Sequence, residues 1–397
     1  MKINRYLFTW IFREPVKAIF IGVVFLFLTG CSNKERRSSL QIIDLTQKVP
    51  ERDLKFSDLC SDVHLVRLET NDSCLIPSWY QLWVGDRYIL VFTGKSIYQF
   101  DTQGKLIRRL ARSGKGPGEF IRVICYDVDV QNNILYLGHE GNDNTFNSYD
   151  LVSGRFIREI PKVYKVQPMF YGLILEDPGT LAVLSSLWQL MPDEIYFQDT
   201  CGKRLGGFPN KNKEVTGFYT GKMPFFKKID GESYYMPGES DTVYKIMKDT
   251  LLPVYWLKTP ETFHFIGNPE GYLVSVMMLS DSWMFMKQTH KRVRIVNDNY
   301  DEKIYSKRLY LYDIKNKKLA RVTELWFDPL FMKKEFPLFY QYHNKCVWAV
   351  NASDFKDYAE NALSEHKLPP KELHQLEILN NTISPEDNPL LVIGTVK

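Results

Sequence analysis

No apolar run in the chain is long enough to cross a bilayer. The longest, Ala18–Leu28, is well short of the roughly 20 residues a spanning helix needs. Excess charge is also scarce. Lys and Arg number 51 against 47 Asp and Glu, a formal +4 over 397 residues. Much of that excess lies near the N-terminus, so the rest has no basic surplus of the kind that binds nucleic acid. The six cysteines include no C-x-x-C pair, and the seven histidines form no H-x-H or H-E-x-x-H pair. That removes sequence-local zinc and dithiol sites. Neither a Gly-x-Ser-x-Gly elbow nor a Ser-x-Asp-x-Gly-x-x-Trp box occurs, which weighs against hydrolases built on those motifs.

What the chain does have begins with Lys2, Arg5, Arg13 and Lys17, followed by the apolar run and then Leu28-Thr29-Gly30-Cys31. This is the layout of a bacterial lipoprotein signal peptide. Small residues before the cysteine admit a signal peptidase, and the Cys31 thiol accepts lipid before cleavage leaves it as the new N-terminus. Residues 1–30 are therefore expected to be a signal peptide, 31–39 a polar lipidated tether, and 40–397 the folded domain. The lipid anchor makes the membrane a partner. Five cysteines remain, an odd number, so at least one thiol stays free. A Cys60–Cys74 bridge and buried apolar thiols are both open.

Short alternating apolar runs such as Tyr88–Phe92 and Ile134–Leu137 are strand signals. One pattern recurs: Tyr98-Gln-Phe-Asp101-Thr-Gln-Gly104, Asn147-Ser-Tyr-Asp150-Leu-Val-Ser-Gly154 and Tyr196-Phe-Gln-Asp199-Thr-Cys-Gly202, with the aspartates 49 residues apart. Weaker copies end at Asp249 and Asp313. Each reads as a hairpin in which the aspartate caps the turn and a glycine or asparagine takes positive φ. A repeat of this length, burying its faces only against its neighbours, predicts an all-β, six-bladed β-propeller. The ring is expected to close by pairing Ile42–Leu45 with Leu390–Val396. Two helical patterns, Phe355–Leu363 and Lys371–Leu379, flank Pro369-Pro370 and predict a small helical insertion at about 354–381.

Leu28–Cys31, Val66-Arg67-Leu68-Glu69-Thr70, Phe100–Ile107, Gly114-Lys115-Gly116-Pro117-Gly118-Glu119-Phe120 and Asp387–Ile393 together make the chain resemble the six-bladed β-propeller lipoproteins of Bacteroidetes, a group akin to NHL-repeat propellers. The resemblance spans nearly the whole mature chain. It implies fold and location far more than chemistry.

The loop Gly114, Gly116, Pro117, Gly118, Glu119 lacks the Gly-Lys-Ser/Thr ending of a phosphate loop. It reads as a blade connection, with Glu119 bonding to backbone amides of the loop. Asp127 and Asp129 stand two apart in a strand and are candidate carboxylates for the central channel. With the loop 139–144 they could hold Ca²⁺; otherwise they serve a turn. Lys291, Arg292 and Arg294 read as a solvated hairpin in an insertion before Asp313. Asp241-Thr242-Val243 and Asp249-Thr250-Leu251 resemble the short Bacteroidetes O-glycosylation motif. No catalytic residue and no cofactor is assigned. The leading expectation is a binding or scaffolding module for a protein, peptide or glycan. The alternative is a lyase or lactone hydrolase with a metal in the channel. The tether lacks an acidic run, which favours the periplasmic face of the outer membrane over the cell surface.

Overall fold

A computed structural model describes residues 40–140, 144–164, 172–185, 191–210, 224–238, 240–264, 268–296, 299–334 and 339–397. The signal peptide, Leu28, Thr29, Gly30, Cys31 and the tether lie outside the described residues, as do Gly141, Asn142 and Asp143 of the acidic loop. Six sheets follow one another along the chain, in the six-bladed propeller that the repeat predicts. Blade 1 comprises Gln81–Val84, Tyr88–Phe92, Ser96–Asp101 and Leu106–Arg112. Blade 2 comprises Val123–Asp129, Ile134–His139, Thr145–Asp150 and Phe156–Pro161. Blade 3 follows with Gly172–Asp177, Thr180–Leu184, Asp193–Asp199 and Arg204–Pro209. Blade 4 has Phe225–Ile229, Glu232–Met236, Thr242–Ile246 and Leu251–Lys258. In blade 5 the strands Glu270–Leu279, Trp283–Val296, Asn299–Asp313 and Lys318–Phe327 lengthen the repeat. Blade 6 takes Phe339–Tyr342, Lys345–Val350 and Leu390–Val396 from the C-terminal part.

The repeated aspartates sit at the turns between third and fourth strands. Asp101 Oδ1 accepts from the Gln103 and Lys105 amides, Asp150 Oδ1 from Val152 and Ser153, Asp199 Oδ1 from Cys201 and Lys203, and Asp313 Oδ1 from Asn316. The amide of Ser153 holds the Asp150 carboxyl below the usual carboxylate range, that of Lys203 does so for Asp199, and the Asn316 side chain for Asp313. A carboxyl whose folded pKa is depressed contributes stability above its unfolded pKa of about 4, and that contribution is lost as pH falls through the folded value. The melting temperature should therefore fall as pH drops below about 4. In a D150N/D199N/D313N variant, which keeps the Oδ1 acceptors, the fall should be shallower. An unchanged acid slope in thermal melts would remove the turns from the cause.

Ring closure differs from the sequence expectation. The strand Cys60–Arg67 pairs antiparallel with Leu390–Val396 and completes blade 6. Gln41–Asp44 instead runs parallel to the outer strand of blade 4, and Glu51–Lys55 runs parallel to that of blade 5. The N-terminal segment is thus a strap that pairs with the outermost C-terminal strand of three successive blades. Each of those edges would otherwise present unpaired backbone groups. Two motifs distant in sequence meet at this closure. Buried Asn388 donates from Nδ2 to the Glu69 and Cys74 carbonyls and accepts the Ile76 amide, while its own amide donates to Thr70. Gly104, at φ +85°, packs so closely that a Cβ would stand 2.2 Å from the Arg67 carbonyl oxygen.

Apolar clusters fill every blade interface. One joins blades 6, 1 and 2 around Phe92, Phe100 and Phe120. Others join blades 2 and 3, 3 and 4, and 4 and 5. The fifth lies between blades 5 and 6 and includes Phe56 and Leu59 of the strap. Two helices, Ala352–Ser364 and Pro370–Asn381, interrupt blade 6 in the region where the two helical patterns fall. Ala352, Phe355, Ala359 and Ala362, at helical spacing, face that fifth cluster. Pro370 occupies the first turn of the second helix, where its missing N–H is not needed.

The described cysteines are all free thiols. Cys60 and Cys74 belong to different clusters, so the Cys60–Cys74 bridge does not form. Cys60 instead meets Cys346 across Gly394, which pairs with Cys346 and whose missing Cβ would lie 2.5 Å from Cys60 Cβ. Both thiols are buried there as free cysteines.

Candidate functional site

The first strand of each blade borders the axis, and side chains tie these strands to one another. Tyr126 Oη donates to the Leu82 carbonyl at 2.7 Å, from blade 2 to blade 1. Asp127 Oδ2 accepts the Leu175 amide at 2.7 Å, from blade 2 to blade 3. Lys228 Nζ reaches the Leu175 carbonyl at 3.0 Å from blade 4. Gln341 of blade 6 accepts the Leu279 amide and donates to the Leu279 carbonyl of blade 5. Polar side chains in the propeller's centre therefore act first as cross-ties, satisfying groups that the curvature of the ring would leave unpaired.

Between these ties lies a cavity of about 300 Å³, lined from blades 1, 2, 3, 4 and 6. That is the low end of ligand-pocket volumes. Its apolar wall includes Trp83, Leu173, Phe226 and Tyr342, and its polar groups include Gln81, Asp127, Lys227 and His343. Tyr126 stacks on Phe92 at 4.0 Å between centroids, and its hydroxyl lies 3.1 Å from that of Tyr342. The aromatic wall is thereby held rigid.

Burial raises the Asp127 carboxyl above the usual range, against the opposing pull of the Leu175 amide, His343, the Val128 amide and Lys227. Its two oxygens are taken by the Leu175 and Val128 amides. Burial lowers the Lys227 ammonium, and the nearby Asp127 charge opposes that shift. Lys227 Nζ lies 5.2 Å from the centre of the Tyr342 ring and has no hydrogen-bond acceptor among the described residues.

The other sequence candidates fall elsewhere. Asp129 does not line this cavity: its two oxygens close a turn by accepting from the Asn132 amide and side chain. Glu140 of the acidic loop pairs with Arg122. Among the described residues, no three His, Cys, Asp or Glu side chains converge to hold a metal. The Gly114–Phe120 loop joins the outer strand of blade 1 to the inner strand of blade 2. Within it Glu119 accepts from the Gly116 amide and from Arg112, each at 2.8 Å, and these bonds hold its carboxyl below the usual range. Gly118 contributes a carbonyl to Tyr149, and Gly114 donates to the Phe120 carbonyl. Thr242 is half-buried, with its hydroxyl on Asp241, whereas Thr250 is exposed in a hairpin turn. Lys291 is not solvated. It is buried, paired with Glu302 and placed over the Phe263 ring, because the long hairpin of blade 5 packs its own small cluster there. Nothing in the sequence marks Lys227, Trp83, Phe226 or Tyr342 as site residues. They lie on three different blades and carry no local motif.

A family model described as a domain of unknown function, DUF4934, matches residues 40–395. The chain belongs to that family. The match covers the strap, all six blades and the helices, so DUF4934 corresponds here to a complete closed propeller. No curated protein matches the sequence. Among solved structures, a protein from Bacteroides fragilis described as exported is similar at 16% identity and TM-score 0.65, covering 90% of this chain and 100% of that one. At that identity the likeness is one of fold. The WD40 domain of Pan2 from Neurospora crassa is similar at 11% identity and TM-score 0.38, over 76% of this chain and 82% of that one.

Proposed function

We propose that this DUF4934 protein is an envelope-anchored binding module whose axial cavity receives a residue-sized group of a protein, peptide or glycan partner. The observation that carries this reading is the cavity, an aromatic-walled space fixed by cross-ties and retaining polar groups that the fold does not use. Rigid walls reduce the ordering cost of binding. The test is crosslinking in the native envelope, followed by affinity purification of the tagged chain and mass spectrometry. One stoichiometric partner is expected, and it should be lost from a Gln81→Trp variant that fills the cavity. Absence of a partner, or its retention by that variant, would overturn the reading. A metal-centred lyase or lactone hydrolase has less support, because Asp127 is committed to backbone amides.

The anchor follows from the Leu28–Cys31 motif, and the exported description of the Bacteroides fragilis protein supports an envelope location. No helix among the described residues is long and apolar enough to cross a membrane. The proposed anchor is lipid at Cys31, on the periplasmic face of the outer membrane. A Cys31→Ser variant should move from the membrane to the soluble fraction, since each buried acyl methylene contributes about 0.8 kcal/mol to attachment. Membrane retention of the variant after a high-salt wash would contradict lipidation there. If exported glycosylation acts on this chain, Thr250 is the accessible acceptor and Thr242 the occluded one.

A further inference from the structure

The cavity's unused polar groups are mostly donors. Lys227 Nζ lies over the Tyr342 ring with the Asp127 charge nearby, and it has no hydrogen-bond acceptor among the described residues. The Trp83 indole N–H is buried without an acceptor. Among the described residues the side chains of Gln81 and His343, both in the lining, make no hydrogen bond that occupies them. Gln81 and His343 can each donate or accept, whereas the other lining acceptors are occupied. Both Asp127 oxygens receive backbone amides, and Gln341 is tied at both ends to Leu279. Of the charged side chains that line the cavity, Lys227 and Lys228 are cationic and Asp127 is anionic, while Glu176, outside the lining, offsets Lys228. A buried donor left without an acceptor is costly, and a charged one more so. The fold thus leaves the Lys227 ammonium and the side chains of Gln81 and His343 to whatever enters, beside an apolar wall.

We infer that the group entering the cavity bears a carboxylate, whose oxygens take the Lys227 ammonium and the neighbouring donors while its body packs on Trp83, Phe226 and Tyr342. This rests on the binding-module reading and narrows its ligand to an organic acid. Two sources share that chemistry, the carboxylate of a peptide ending in an aromatic residue, for which benzoate is the probe, and the uronic acid of a glycan.

The test titrates the mature chain with four probes, following Trp fluorescence or heat: benzoate and its neutral partner benzamide, galacturonate and its neutral partner galactose. One acid should bind saturably and at least about tenfold more tightly than its neutral partner, the factor expected of one hydrogen bond to a charged group. Which acid it is identifies the source. Lys227→Met should abolish that preference, and Lys227→Arg should retain it, with melting temperatures confirming that both variants fold. Equal binding of acid and neutral partner would overturn the carboxylate and leave the cavity as a binding site. So would a preference that survives Lys227→Met in a folded protein. Failure of all four probes to bind also overturns this inference, whereas the binding-module reading stands or falls on partner capture and the Gln81→Trp variant.

Discussion

A chain beginning at Leu68, without the strap, should fail to form a cooperative monomer. Removing residues up to Arg67 takes away three strands, Gln41–Asp44, Glu51–Lys55 and Cys60–Arg67, and so uncovers the edges of blades 4, 5 and 6 together. It also removes the buried side chains of Leu54, Phe56, Leu59 and Val66. Full burial of such side chains contributes roughly 1.5–3 kcal/mol each. Their sum is comparable to the whole stability of a typical domain, about 5–15 kcal/mol. Unpaired edges favour intermolecular pairing, so the product should aggregate. Solubility, gel filtration and a circular-dichroism melt check this. A soluble monomer with a sharp transition would show that the blades close without the strap.

The Phe327→Ala substitution should cost about 3–5 kcal/mol, the usual price of truncating a fully buried phenylalanine. Phe327 ends the outer strand of blade 5 with no exposed surface. Its ring stacks on Trp348 of blade 6 at 3.5 Å and lies 5.5 Å from Phe56 of the strap. One side chain therefore joins two blades and the N-terminal segment within a single packed apolar cluster. In denaturant unfolding the midpoint should fall while the slope stays near that of the parent chain, since the surface exposed on unfolding barely changes. A loss under about 1 kcal/mol would mean the site relaxes around the cavity and is not a rigid junction.

The propeller was legible because its turns have local chemistry. An aspartate that caps its own turn and a glycine at positive φ mark Asp101–Gly104, Asp150–Gly154 and Asp199–Gly202 in the sequence, and they mark the same turns in the fold. The helices were legible for a similar reason, since Ala352, Phe355, Ala359 and Ala362 keep helical spacing and Pro370 starts a new helix. Closure was not legible. Gln41–Asp44 and Cys60–Arg67 both read as strands, and the choice of edge depends on contacts such as Asn388 with Glu69 and Thr70, which are more than 300 residues apart in sequence. The cavity was hidden for the same physical reason. Asp127 stood out as a carboxylate in a strand, but Lys227, Trp83 and Tyr342 reach it only when four blades converge. Its neighbour Asp129 has the same local pattern and serves a turn instead. Lys291 looked solvated because nothing in its neighbourhood announces Phe263 or Glu302 as partners.

The central claim is that a partner enters the axial cavity, and the most direct measurement places a photoreactive p-benzoylphenylalanine at position 81 in the cavity wall. A second chain carries it at position 107, exposed on the outer strand of blade 1, as the control. After irradiation in the native envelope, position 81 should yield one discrete adduct that position 107 does not. No adduct from position 81, or the same adducts from both positions, would contradict the claim.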